Sequence, residues 1–192
     1  MKPNIIAIVG SLRQHSLNRA LAEKAAQILD AEAAFEILSY DDIPFFNADI
    51  EYPAPAAVQR VREIVDSADG IWFFAPEYNH FFPAVLKNLI DWLSRPISET
   101  RPQVLAGKTA ALSGISPGMS GTGIAQDHLV TLLSFLDMRI MNKPRLTVPG
   151  SSWETDAEGT LILSPAAATF LEEQARAFVK FVNYPLRHPA MF

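Results

Sequence analysis

Two hydrophobic periods alternate along the chain. Asn4-Ile5-Ile6-Ala7-Ile8-Val9 is an unbroken run rich in β-branched residues that ends at Gly10. Such a run predicts a strand buried on both faces, as in a parallel sheet. After a polar loop, Leu17, Leu21, Ala25, Ile28 and Leu29 recur at helical spacing, so the first strand feeds a helix. A second strand is expected at Phe35 to Tyr40, followed by irregular chain around Pro44 and Asn47. A helix carrying Val58, Val61, Ile64 and Val65 comes next, behind Pro53 and Pro55,. Gly70 to Ala75 reads as the third strand, and Pro83 as the first residue of a helix lined by Leu86, Leu89, Ile90 and Leu93,.

Lys108 to Ile115 predicts a fourth strand, and Ile124, Leu129, Leu132, Leu133 and Leu136 the helix after it,. A short fifth strand is expected at Leu146-Thr147-Val148, and Glu154 to Gly159 reads as a surface turn with solvated acids,. Ala166 to Val182 closes the pattern as a helix with Leu171, Ala175, Phe178 and Val182 inward,. Five strands alternating with five helices predict an α/β fold, a doubly wound parallel sheet with helices on both faces. In that architecture ligands bind beyond the carboxyl ends of the strands, beside the switch point. The loops after strands one, three and four are therefore where chemistry is expected.

With 192 residues, 49% of them hydrophobic, the chain is expected to form a single domain over residues 1–192. A net charge of −5 without a basic cluster argues against a nucleic-acid partner,. The absence of cysteine removes disulfides, thiolate nucleophiles and cysteine metal ligands together, and agrees with a cytoplasmic location,. The apolar run at Ile5 to Val9 is too short to span a bilayer and lacks the flanks of a signal peptide, so no membrane insertion is expected.

The first loop, Gly10-Ser11-Leu12-Arg13-Gln14-His15-Ser16-Leu17-Asn18, combines hydroxyls, an arginine fork, an amide and a helix N-terminus. That combination is an anion cradle. Read singly, Ser16 is a helix cap and Arg13 a solvated cation; the nine-residue set is what points to an anion. Neither G-x-G-x-x-G nor G-x-x-x-x-G-K-[ST] is present, so a single terminal phosphate fits better than a dinucleotide or a P-loop triphosphate. The second loop, Pro76-Glu77-Tyr78-Asn79-His80, follows the most aromatic strand. Asn79 and nearby amides can read the edge of a planar ring and Tyr78 can pack beside it, whereas a plain turn would leave Glu77 in solvent. His80 has no partner carboxylate evident in sequence and is given no catalytic role. The third loop, Ser116-Pro117-Gly118-Met119-Ser120-Gly121-Thr122-Gly123, is small enough to lie against a flat ligand, and a flexible connection would look the same.

With these loops in view, the chain resembles the NAD(P)H-dependent FMN reductase family, flavodoxin-like enzymes that include quinone, azo-dye and chromate reductases. The likeness rests on Gly10-Ser11-Leu12-Arg13 with Ser16 and Asn18, on Pro76-Glu77-Tyr78-Asn79, and on Leu86-Lys87-Asn88-Leu89-Ile90-Asp91-Trp92. It covers roughly residues 4 to 150 and implies a flavodoxin-like three-layer sandwich around a five-stranded parallel sheet. It also implies that Ser11, Arg13, Ser16 and Asn18 hold the phosphate of FMN. Pro76, Glu77, Tyr78 and Asn79 would border its ring, and Ser116 and Gly118 would contact ring and ribityl chain. By the same likeness NADPH or NADH is the hydride donor. The acceptor is a small molecule: a quinone, an azo compound, a metal oxyanion or free flavin.

A homodimer or homotetramer is implied too. Phe45, Phe46, Phe81 and Phe82 are available for a buried surface or for the core, and Asp91 and Trp92 for packing and dimer contact. No residue is assigned as catalytic and none as a metal ligand, since a flavin carries the redox chemistry itself. Two residues depart from the family pattern: Ala84 after Pro83, expected to be harmless, and Thr122, which bears on how an acceptor reaches the ring. The competing expectations are a flavodoxin-like electron carrier and a redox-sensing FMN-binding module, neither turning over NAD(P)H.

Overall fold

The computed structural model describes residues 2–98 and 100–184. Its central sheet is parallel throughout, in the order β2 (Ala34–Ile37), β1 (Asn4–Val9), β3 (Gly70–Phe74), β4 (Thr109–Ile115). The fifth position is shared by two short strands, β5 (Arg139–Ile140) and β6 (Leu146–Val148), each paired with β4 and not with the other. This 2-1-3-4-5 order is the flavodoxin-like one, with its switch point between β1 and β3.

The apolar runs are continuous because the inner strands are covered on both faces. Ile6 and Ile8 of β1, Ile71 and Phe73 of β3, and Ala110 and Leu112 of β4 pack under α2 (Ala56–Asp66), α3 (Ala84–Leu93) and α4 (Gly123–Phe135). Ile5, Ala7, Val9, Trp72, Phe74, Ala111 and Ile115 point the other way, under α1 (Leu17–Leu29) and α5 (Pro165–Asn183). Trp72 is fully buried, edge-on to Phe178 of α5 at 5.5 Å between ring centroids. Its indole Nε1 donates to Ser113 Oγ, which in turn donates to Gln174 Oε1, so a polar chain crosses this core without a broken bond.

Four expectations shift. Strand β2 stops at Ile37, although Leu38 N still donates to Ala7 O. Pro83 lies just outside α3 as its N-terminal flanking residue, with ψ at 149°. The fifth sheet position is divided, because the chain leaves β4 between Ile140 and Leu146. Residues Glu154 to Gly159 do not form a bare turn: β7 (Trp153–Thr155) pairs antiparallel with β8 (Leu161–Leu163), placing Glu154 opposite Ile162. The acids Glu154, Asp156 and Glu158 are exposed as expected, and Asp156 Oδ1 in addition accepts from Glu158 N and Thr160 N and closes the hairpin turn. Strands of two or three residues are too short to impose a period, which is why the sequence reading passes over them.

Candidate functional site

The switch point brings the first and second loops against one another. Gly10 N donates to Phe74 O, and a Cβ on Gly10 would sit 3.3 Å from Ala75 Cα. The small residue thus lets the ends of β1 and β3 approach closely. Ser16 caps α1, its Oγ accepting from Arg19 N at 3.2 Å, and Ser11 Oγ accepts from Arg13 N at 3.4 Å. Both hydroxyls keep a hydrogen to donate, and the amides of Leu17 and Asn18, first in the helix, have no carbonyl within it to bond. Arg13 makes no ion pair among the described residues. These are the donors a phosphate needs, and they converge on one helix end.

Asn18 has a task that the sequence reading did not assign. It is buried, its Nδ2 donating to Ile115 O at 3.0 Å while its Oδ1 accepts from Ile115 N at 3.1 Å. The amide therefore ties the first loop to the end of β4, with one N–H hydrogen left over.

In the second loop, Asn79 and His80 have φ of 53° and 61°. Tyr78 and Phe81 exchange both backbone hydrogen bonds, the arrangement of a two-residue turn with both central residues left-handed, which favours asparagine at the first. Glu77 is not in solvent. Its Oε2 accepts from Ala125 N at 3.0 Å, in the first turn of α4, and its Oε1 lies 3.3 Å from His80 Nδ1. A carboxylate here satisfies an otherwise unpaired amide and meets the positive end of the helix.

In the third loop, Ser116 Oγ accepts from Gly118 N, and Ser116 N donates to Val148 O of β6. Thr122 corrects an expectation. It is fully buried, its Oγ1 accepting from Gln126 Nε2 at 3.0 Å, and its side chain fills the space beside Gly114. A Cβ on Gly114 would lie 2.3 Å from that Oγ1. Thr122 faces the core, so it does not govern access from solvent.

Eight residues from the three loops, Ser11, Arg13, Ser16, Asn18, Pro76, Glu77, Tyr78 and Ser116, line one cavity of about 100 Å³. Asn79 and Gly118 do not line it. Two residues that tie down the chain near this site, Tyr40 and Asn88, were given no role of their own by the sequence. Tyr40 is buried and its hydroxyl donates to Val9 O at the end of β1; burial raises its pKa, with Arg19 pulling the other way. Asn88 accepts from Phe46 N and donates to Pro44 O, beside the bond from Trp92 Nε1 to the same carbonyl. Trp92 is thus a packing residue, edge-on to Phe46 at 4.9 Å, while Asp91 pairs with Lys87. Among the described residues no group of three or more His, Cys, Asp or Glu is placed to hold a metal, and no helix is long and apolar enough to cross a membrane.

The family model for NADPH-dependent FMN reductase matches residues 3–152, from the start of β1 to beyond β6. The chain belongs to the NADPH-dependent FMN reductase family. Within that family it is 37% identical over 180 residues to the NAD(P)H-dependent FMN reductase of Pseudomonas aeruginosa, covering 93% of this chain and 95% of the relative. It is 34% identical over 185 residues to the quinone reductase of Escherichia coli, covering 95% and 96%. Among solved structures it superimposes on FerB, a flavoenzyme NAD(P)H:(acceptor) oxidoreductase from Paracoccus denitrificans. That match has a TM-score of 0.83 at 31% identity, covering 94% of this chain and 97% of the other. All three cavity-forming loops of this FMN reductase family member lie inside the matched segment.

Proposed function

We propose that the chain is an FMN-dependent NAD(P)H oxidoreductase, a single cytoplasmic domain that passes electrons from a reduced nicotinamide to a small acceptor of the quinone type. The observation that carries this reading is the convergence of Ser11, Arg13, Ser16 and Asn18 with Pro76, Glu77, Tyr78 and Ser116 around one cavity at the carboxyl edge of the sheet. The donors left over there fit the phosphate of FMN. Ser11 and Ser16 each have a hydroxyl hydrogen to give, and the Arg13 guanidinium has no competing carboxylate among the described residues. The turn at Tyr78 and Asn79 would border the ring, and Ser116 and Gly118 the ring and ribityl chain.

When bound, FMN supplies the redox chemistry, taking a hydride and releasing electrons to the acceptor. The protein's part is to hold and orient: Arg13 neutralises the phosphate, and Asn18 and Glu77 fix the walls of the site relative to one another. No side chain is assigned as acid, base or nucleophile. A homodimer or homotetramer belongs to the same proposal, supported by the exposed Phe81, Ile124 and Phe135, which light scattering on the purified protein tests. Anaerobic addition of NADPH, then NADH, to the FMN-loaded protein tests the reductase reading. Bleaching of the flavin absorption faster than for free FMN supports it, and flavin that stays oxidised refutes it in favour of an electron carrier.

A further inference from the structure

Two more cavities open on the β2 side of the first loop and adjoin one another. The larger, about 310 Å³, is lined by Arg13, Gln14, Arg19 and Ser39, and the smaller, about 220 Å³, by Ile43, Phe45 and Val85. Leu12, Tyr40 and Asp41 line both. One half of this cleft is cationic and the other apolar with an aromatic ring at its mouth, where Phe45 is 83% exposed. An aromatic base joined to a phosphate has the same division.

The charges around the cleft are partly spent. Asp42 is held by Arg60, which also donates to Ser39 O, and Asp41 accepts from Ser39 Oγ. Arg13 stands on the wall shared with the flavin-phosphate cavity. Arg19 lines the larger cleft and not the 100 Å³ cavity, and it makes no ion pair among the described residues. Its own amide is fixed by Ser16 Oγ, so the side chain leaves α1 from a fixed base.

From this juxtaposition we infer that the cleft between the first loop and the chain after β2 is a second nucleotide subsite. It takes the adenosine-phosphate half of the nicotinamide dinucleotide, with the base against Leu12, Ile43 and Phe45 and a phosphate on Arg19. This rests on the reductase reading for the identity of the nucleotide. The site lies beside the flavin cavity, with Ser11 and Arg13 on the wall the two share. Arg19 presents a planar fork that recognises phosphate oxygens in pairs.

The test uses oxidised, FMN-loaded protein and calorimetric titration with 2′,5′-ADP and, separately, 5′-ADP, so no hydride transfer enters the readout. The expected result is that 2′,5′-ADP binds, that Arg19→Gln weakens it at least tenfold, that Phe45→Ala weakens it severalfold, and that both variants keep wild-type FMN affinity. If 5′-ADP shows the same dependence on Arg19, the phosphate it holds is the 5′-phosphate common to both probes; if only 2′,5′-ADP does, it is the 2′-phosphate of NADPH. Either result supports the subsite. Absence of binding, binding indifferent to Arg19, or loss of FMN affinity in Arg19→Gln overturns it. A failure of NADPH to reduce the flavin would instead strike the reductase reading.

Discussion

Glu77 and Ala125 are 48 residues apart in sequence, yet the carboxylate of the first accepts the backbone N–H of the second at 3.0 Å. A side chain from the loop after β3 thus completes the first turn of α4, a service that in most helices comes from a residue adjoining the helix. Thr122, at the flanking position itself, makes no side-chain cap bond. Replacing Glu77 with Ala should lower stability by about 0.5–2 kcal/mol, the range for losing a helix cap. Glu77→Gln, which keeps an acceptor and loses the charge, should fall between wild type and Glu77→Ala. Urea unfolding of the three proteins measures the order.

Arg13 is the one cation lining the cavity proposed to take the phosphate, and it makes no ion pair among the described residues. A hydrogen bond to a charged group contributes about 1.5–3 kcal/mol, so Arg13→Ala should weaken FMN binding roughly 10- to 150-fold. Fluorescence quenching of FMN by apoprotein gives the affinity directly. Wild-type affinity in the variant would remove Arg13 from the site.

Asn18→Ala leaves both backbone groups of Ile115 without the partners they have now. At roughly 1–3 kcal/mol for each buried group left unpaired, the loss should exceed that of an ordinary surface substitution. Asn18→Asp keeps an acceptor for Ile115 N but turns a second acceptor toward Ile115 O, and should not restore stability. The predicted companion effect is weaker FMN binding in both variants, since the first loop loses its tie to β4.

Tyr40 makes stability depend on pH at the alkaline end. Burial raises its pKa above the ordinary 10.0, with Arg19 opposing. The unfolded chain therefore releases the phenolic proton near pH 10 while the folded chain retains it. This contribution is complete below that pH and is lost progressively as pH rises above it. Tyr40→Phe should be less stable at neutral pH by roughly 1–3 kcal/mol, because Val9 O loses its donor,. It should also show a flatter alkaline limb than wild type in denaturation followed between pH 8 and 11.

The long runs at Asn4–Val9 and Gly70–Phe74 were legible because burial on both sides of a sheet leaves a signal several residues long,. For the same reason the three loops could be placed at one edge. The stripe of α4 was legible only in part: Leu129 and Leu133 are buried, but Ile124 is exposed and Leu136 lies just past the helix. The ties that shape those loops were not legible. Asn18 meets a residue 97 positions away, and Glu77 one 48 positions away, and a side chain's partner across such distances follows from the packed fold rather than from local pattern. Arg19 went unremarked for a related reason: next to a richer motif, a lone arginine on a helix carries no local signal, and only the cleft around it gives it a role.

Helix α5 begins 13 residues after the segment matched by the family model ends. Yet it lays Phe178 against Trp72 and sends Gln174 to Leu112 O and Ser113 Oγ in the middle of the sheet. The stretch by which relatives are recognised accordingly relies on α5 to cover part of one face of its sheet. A fragment cut at residue 152 would present Trp72, Phe74 and Leu171's former seat to water, and would be expected to aggregate rather than bind flavin,.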